Sequence, residues 1–226
     1  MKRFWLDWRR RKALRRVADE TIEGFLKHGL PTRRQTIETV ELLALDIETT
    51  GLDPRTADIL SIGWVVIKGG VIELSTAQRM IVSSLSEVGQ SATIHGLTDT
   101  EVSTGIALHE AISQVVEAAA GRVLVVHHAG LDKVLLDRAV KACFGVPFLI
   151  PIIDTLAMAH RKATQQHHLG GPAELRLSDL REQYGLPQYS AHDSTVDALA
   201  TAELLLAMLE HHHEGANTRV WRLASF

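Results

Sequence analysis

A single cysteine, Cys143, rules out an intrachain disulfide in this chain of 226 residues. That usage fits a reducing compartment. Long apolar runs are missing as well: none approaches the ~20 residues needed to cross a bilayer. The first residues, MKRFWLDWRRRKALRRVADE, are positive but lack the apolar stretch of a secretory signal. A cytoplasmic protein is therefore expected. Phe, Trp and Tyr together make up only 5% of the chain, too little for a broad base-stacking surface. An excess of positive charge is also lacking. The formal net charge is −3, so the chain as a whole does not hold polyanions by its charge. A local basic patch, or metal ions bridging acids to phosphates, remain the routes to nucleic acid.

What is present divides into unequal parts. Residues 1–38 are rich in arginine, with Arg9, Arg10, Arg11, Lys12, Arg15 and Arg16 set among Phe4, Trp5, Trp8, Leu14 and Val17. Apolar spacing of three to four predicts a basic amphipathic helical extension. Its readings are a helix packed on the main domain, a nucleic-acid contact, or a partner or membrane-surface helix. Residues 39–212 read as one α/β domain, followed by a short tail over 213–226.

Strands are predicted over 41–48, 59–67, 71–82, 122–127 and 148–154, the second and third joined by Lys68-Gly69-Gly70. Thr98–Glu101 has the form of a capping box opening a helical region to about Ala120. Further helices are predicted over 130–143, 155–162, 177–184 and 193–210. A meander of three strands followed by alternating strands and helices implies a mixed sheet flanked by helices.

The first strand ends LLALDIETTG. Residues i and i+2 of a strand share a face, so Asp46 and Glu48 stand side by side at its C-terminal end. Adjacent carboxylates repel and need compensation if they are to stay ionised; a hard divalent cation is one source, a solvent-facing strand end the plainer reading. Asp132 falls in the first turn of the 130–143 helix, where it complements the helix dipole or joins acids from a neighbouring strand. His192 and Asp197 are five residues apart, which places His192 in the loop or first turn and Asp197 within the last helix. Asp193 reads as an ordinary cap.

In this order, Asp46-Ile-Glu48-Thr-Thr-Gly, then His127-x-Ala-x-x-Asp132, then His192 with Asp197 resembles the three motifs of the DEDDh, or DnaQ-like, 3′–5′ exonucleases. The resemblance spans about residues 41–210 and is greatest to the branch holding the proofreading epsilon subunit of bacterial DNA polymerase III and its stand-alone relatives. Ile94–Thr98 resembles the family's HGIT-type loop, Ile153-Asp154-Thr155 its strand-ending Asp-Thr, and LSDLREQYGLP (177–187) the helix ahead of the third motif.

The resemblance implies a ribonuclease H-like fold with a five-stranded mixed sheet. It implies that Asp46, Glu48, Asp132 and Asp197 bind two Mg²⁺ or Mn²⁺ ions and that His192 is the general base. Thr49, Thr50, Gly51, His95 and His128 become candidates for contact with the terminal nucleotide. The implied reaction hydrolyses 3′ ends of nucleic acid, DNA favoured over RNA, in proofreading or repair, with a DNA polymerase III catalytic subunit as candidate partner. Two departures stand in the second motif, where the family usually has Asn and an aromatic: here His128 and Leu131. His167-His168 and His211–His213 lack the cysteines or spaced acids of a zinc site, and no zinc is expected. An exoribonuclease of the same family, and a non-catalytic module that holds nucleic acid or a polymerase, are the alternatives.

Overall fold

The computed structural model describes residues 2–83, 102–165, 175–190, 192–211 and 215–225. His95, the 94–98 loop, the 98–101 capping box, His167-His168 and His212-His213 lie outside them. Strand β1 (Glu41–Thr49) is central in a five-stranded sheet of order β3-β2-β1-β4-β5, with β2 (Ile59–Lys68), β3 (Val71–Ile81), β4 (Val123–Val126) and β5 (Ile152–Asp154). β1, β2 and β3 form the antiparallel meander; β4 and β5 run parallel to β1. This is the expected mixed sheet.

The two-residue period of β1 sorts its side chains. Leu43, Leu45 and Ile47 enter a core with helices α1 (Lys2–Leu14), α2 (Glu20–Lys27), α3 (Leu108–Ala119) and α4 (Ala129–Phe144). Leu42 and Ala44 face the opposite core with α5 (Thr155–Gln165), α6 (Leu177–Gln183) and α7 (Ser194–His211). Asp46 and Glu48 continue the second series, so they fall on the α7 face.

Three expectations need correction. The strand predicted over 148–154 pairs only from Ile152. Ahead of it the Phe148 N–H donates to Asp137 Oδ1 at 2.9 Å and the Leu149 carbonyl accepts from Arg10 at 2.6 Å. Side chains there take the place of the ladder, and Pro151 has no N–H to give it. The helix predicted to run to Ala120 is not continuous. Ile106 bridges Val82, exchanging backbone bonds with Ile81 and Ser83, and α3 starts only at Leu108. The basic segment forms two helices, with Asp19 capping α2 through Thr21 N and Ile22 N.

The N-terminal helices are not detached. Leu6, Ala13, Ile22, Phe25 and Leu26 share the core of α3 and α4, so the boundary at residue 38 divides one continuous packing unit. Arg10 is 4% exposed; its guanidinium lies over the Phe25 ring and donates to the carbonyls of Leu149, Phe25 and His28. The end of the chain is folded too. Ser225 exchanges two backbone bonds with Ile152 (2.7 and 2.8 Å), covering the free edge of β5. Among the described residues no helix is long and apolar enough to cross a membrane.

Candidate active site

Three chain segments converge at the C-terminal end of β1. The first is β1 itself, where Asp46 pairs with Gly63 and Glu48 with Ser61 on β2. Cross-strand partners share a face, so Gly63 and Ser61 also look towards α7. A Cβ on Gly63 would lie 2.3 Å from the backbone of Ser194 and Thr195. Only glycine admits the start of α7 this close to the sheet. The contact is pinned by a 2.7 Å bond between the buried hydroxyls of Ser61 and Ser194.

The second segment is that start of α7. His192 has a left-handed backbone (φ 75°) and its N–H donates to Asp197 Oδ2 at 2.8 Å. This bond ties the loop histidine to the acid five residues on. Asp193 is the helix cap, accepting from Thr195 N and Val196 N through Oδ1, while Oδ2 meets Arg79 at 3.1 Å. Ligand atoms of Glu48, His192 and Asp197 lie within 4.8 Å of one another.

The third segment runs from β4 into α4. β4 pairs with β1 as far as Val125 opposite Ala44, which brings the following turn level with Asp46. His128 is left-handed (φ 88°, ψ 63°) at the start of α4. Asn and His are among the residues that tolerate this region, which accounts physically for a histidine where the resembling family has asparagine. Leu131 packs at the margin of the α3/α4 core, and Asp132, one residue on, is 4% exposed. Asp154 holds this turn: its carboxylate accepts from the backbone N–H groups of His128, Ala129, Leu156 and Ala157 at 3.0–3.3 Å. One side chain thus caps two helices, α4 and α5.

The acids perturb each other. Burial raises the Asp46 carboxyl well above its ordinary range, and Asp132, Glu48 and Asp197 add to it. Burial and then Asp197 and Asp193 push Glu48 up to about 7. Burial, then Asp154 and Glu48, raise Asp132; burial raises Asp197 against the opposing His192 N–H. A cluster of acids held at a cost to its own ionisation is the donor set that suits hard divalent cations. Glu48, Asp197 and Asp46 can supply oxygen ligands; Asp132 stands close enough to Asp46 to interact with it electrostatically.

A cleft of about 420 Å³ opens beside this cluster, lined in part by Asp46, Asp197, His192, His127, Arg176 and Tyr189. His127 is held at both ring nitrogens, by Thr155 Oγ1 at 2.8 Å and the Leu175 carbonyl at 3.1 Å. A carbonyl only accepts, so Nε2 carries the proton; Thr155 Oγ1 also lies 3.2 Å from the Val126 carbonyl. Burial lowers its pKa to about 4, keeping it neutral. Tyr189 stacks on the buried guanidinium of Arg181 (4.5 Å) and donates to Glu203 at 2.9 Å. Sequence reasoning assigned no role to His127, Gly63 or the Arg181 network. A lone glycine within the apolar run ILSIGWVVI was the available signal for a close backbone approach.

The nucleotide candidates fare differently. Thr49 is buried and its hydroxyl donates to the Gly51 carbonyl at 2.7 Å. Thr50 is bonded to Asp58 through both its N–H and its hydroxyl. Both side chains are engaged in shaping the turn, which leaves Gly51 exposed at the rim. His128 is exposed.

The chain is similar to known proteins over most of its length. The PolC-type DNA polymerase III of Thermotoga petrophila is 28% identical over 77% of this chain, which spans 12% of that polymerase's length. The DNA polymerase III subunit epsilon of Aquifex aeolicus is 22% identical over 74% of this chain and 80% of its own. In fold, the chain is similar to E. coli Exonuclease I in complex with a dT13 oligonucleotide, with a TM-score of 0.64 and 15% identity over 77% of this chain and 42% of that one. Residues 43–205 match the RNase_T exonuclease family model, and the chain belongs to that DnaQ-like exonuclease family.

Proposed function

We propose that the protein is a metal-dependent 3′–5′ exonuclease that removes nucleotides from single-stranded or frayed DNA ends. The convergence of Asp46, Glu48, Asp132, Asp197 and His192 at one strand end carries the reading. Asp46, Glu48 and Asp197 would hold one divalent ion, and Asp46 with Asp132 a second. When bound, Mg²⁺ or Mn²⁺ supplies charge stabilisation for a phosphodiester and its leaving oxygen.

The residues of the chain do the rest. His192, exposed at the cleft and fixed through its backbone to Asp197, takes a proton from the attacking water. The water oxygen forms a bond to phosphorus, and the bond from phosphorus to the 3′ oxygen of the preceding nucleotide breaks. That oxygen takes a proton from solvent, and a nucleoside 5′-monophosphate leaves. Thr49, Thr50 and Gly51 would border the terminal nucleotide; His128 and His95 are further candidate contacts. The turn at Thr50–Asp58 keeps that border rigid.

DNA is preferred as substrate because the curated relatives are DNA polymerase III proteins. The same relatives support a proofreading or repair role in the cytoplasm, with a polymerase catalytic subunit as candidate partner. The test is digestion of matched 5′-labelled DNA and RNA oligonucleotides with Mg²⁺, Mn²⁺ or EDTA. A ladder shortening from the 3′ end is expected with metal, lost in Asp46→Asn and reduced about 10²–10⁴-fold in His192→Ala. Digestion of RNA alone would transfer the reading to an exoribonuclease. Activity surviving both EDTA and Asp46→Asn would refute the metal-dependent mechanism.

A further inference from the structure

Helix α1 presents a surface that the nuclease site does not use. Leu6, Arg10 and Ala13 fix its inner side to the core at 1–7% exposure. Arg3 adds a bond to the Pro31 carbonyl at 2.9 Å. Positions 4, 5, 8, 11 and 12 follow helical spacing on the outer side, and Arg15 and Arg16 continue the exposed charge in the turn after Leu14. There Phe4, Trp5 and Trp8 are 76%, 45% and 53% exposed, a concentration of rings in a chain only 5% aromatic. After them come Arg9, Arg11, Lys12, Arg15 and Arg16, of which only Arg9 is half-buried. The Arg9 guanidinium lies 4.5 Å from the Trp5 ring centre and Lys12 Nζ 5.4 Å from that of Trp8.

The charge is as local as the rings. Residues 2–16 hold eight of the chain's 24 Lys and Arg residues against one acid, Asp7, although the whole chain carries −3. The segment therefore complements a polyanion while the remainder of the molecule repels one. Exposed rings with cations set against them, Arg9 on Trp5 and Lys12 on Trp8, offer a strand both stacking surface for its bases and positive charge for its phosphates. An interfacial membrane helix is built differently, with its apolar side opposite its cations. Here the aliphatic side of α1 is already spent on the core.

We infer that the outer face of α1 is a second, sequence-independent binding site for single-stranded nucleic acid. The inference rests on the nuclease reading for its choice of ligand. Arg10 reaches Leu149, ahead of β5, whereas the acids gather at the other end of the parallel strands. α1 is therefore anchored towards the opposite end of the parallel strands from the acids, and would engage the substrate upstream of the 3′ end being cut. It would keep a long substrate tethered between successive cuts.

The test uses the full chain in EDTA, where no cutting occurs, with fluorescent dT30 and polarisation as readout. Trp5→Ala/Trp8→Ala should weaken binding about tenfold per ring with the salt dependence unchanged. Arg11→Ala/Arg15→Ala/Arg16→Ala should lower the slope of log affinity against log salt by about 2. Independently of any variant, photocrosslinking of bromouridine-substituted dT30 to the wild type should map to Trp5 or Trp8. Unchanged affinity and slope, with crosslinks elsewhere, would overturn the site. So would anionic vesicles that bind α1 and displace no dT30. Wild-type cutting of dT3, too short to reach α1 from the acids, reports the nuclease reading on its own.

Discussion

Glu48→Gln should raise the stability of the metal-free protein while destroying its activity. Glu48 is 6% exposed, and burial with Asp197 and Asp193 lifts its carboxyl from 4.5 to about 7. Between those two values the folded chain keeps a proton that the unfolded chain has lost. Wild-type stability therefore falls as pH rises through that window, and the loss is complete above about 7. At about 1.4 kcal/mol per pH unit the displacement is worth about 3 kcal/mol. A buried glutamine amide without full partners gives back about 1–2 kcal/mol of this. The net gain is about 1–2 kcal/mol, or roughly 3–8 °C in melting temperature for a domain of this size. The assay is thermal denaturation in EDTA at pH 8 and pH 4.5. The variant should melt higher at pH 8 and lower than wild type at pH 4.5, where the folded carboxyl is neutral and only the cost of the amide remains. Adding Mg²⁺ should raise the wild type more than the variant, because the removed carboxylate is a ligand. A variant that melts below wild type in EDTA at pH 8 would refute the idea that the cluster is held against its own repulsion.

Gly63→Ala should cost about 1–3 kcal/mol, and most of the nuclease activity, because its Cβ meets the backbone at the start of α7. Gly24→Ala, with nothing within 4 Å and a helical position, should instead stabilise by about 0.5–1 kcal/mol; urea midpoints compare the two. Asp154→Asn sets an amide against backbone donors at two helix starts. A loss of about 2–3 kcal/mol is expected, with a fall in activity through the displaced Asp132. His127 titrates near 4 when folded and 6.5 when unfolded. The unfolded chain therefore binds the extra proton, and stability is lost as pH falls from 6.5 to 4, by up to about 3 kcal/mol. In EDTA melts, His127→Gln should be less stable than wild type at pH 7, with the gap narrowing by pH 4.5; a constant gap would remove His127 from the account.

These residues also mark how far the sequence alone reaches. Asp46 and Glu48 were legible because a strand of period two puts them on one face whatever surrounds it, and β1 is such a strand over all nine residues. Asp193 was legible as a cap because capping is local, decided by the next three residues. The limits of the fifth strand were not. Leu149 and Ile150 are as buried as strand residues, but the chain ahead of Ile152 meets Asp137 and Arg10, from 11 and 139 residues away. No local pattern records such partners.

The site follows the same division. Hydrophobic period and helix starts bring each acid to the correct end of the sheet, but closing the cluster depends on Gly63. Its missing side chain lets the first turn of α7 lie against β2, with the Ser61–Ser194 bond holding it there. Glycine in a central strand weakens the strand itself, so the position trades sheet stability for an approach that no other residue permits. That approach brings Asp197 and His192 to Glu48 and so sets the repulsion that raises the Glu48 carboxyl. The two effects are coupled: a larger residue at 63 that moved α7 away should lower the Glu48 pKa towards 4.5. A smaller pH dependence of metal-free stability in Gly63→Ala would therefore link the packing of one glycine to the electrostatics of the whole cluster.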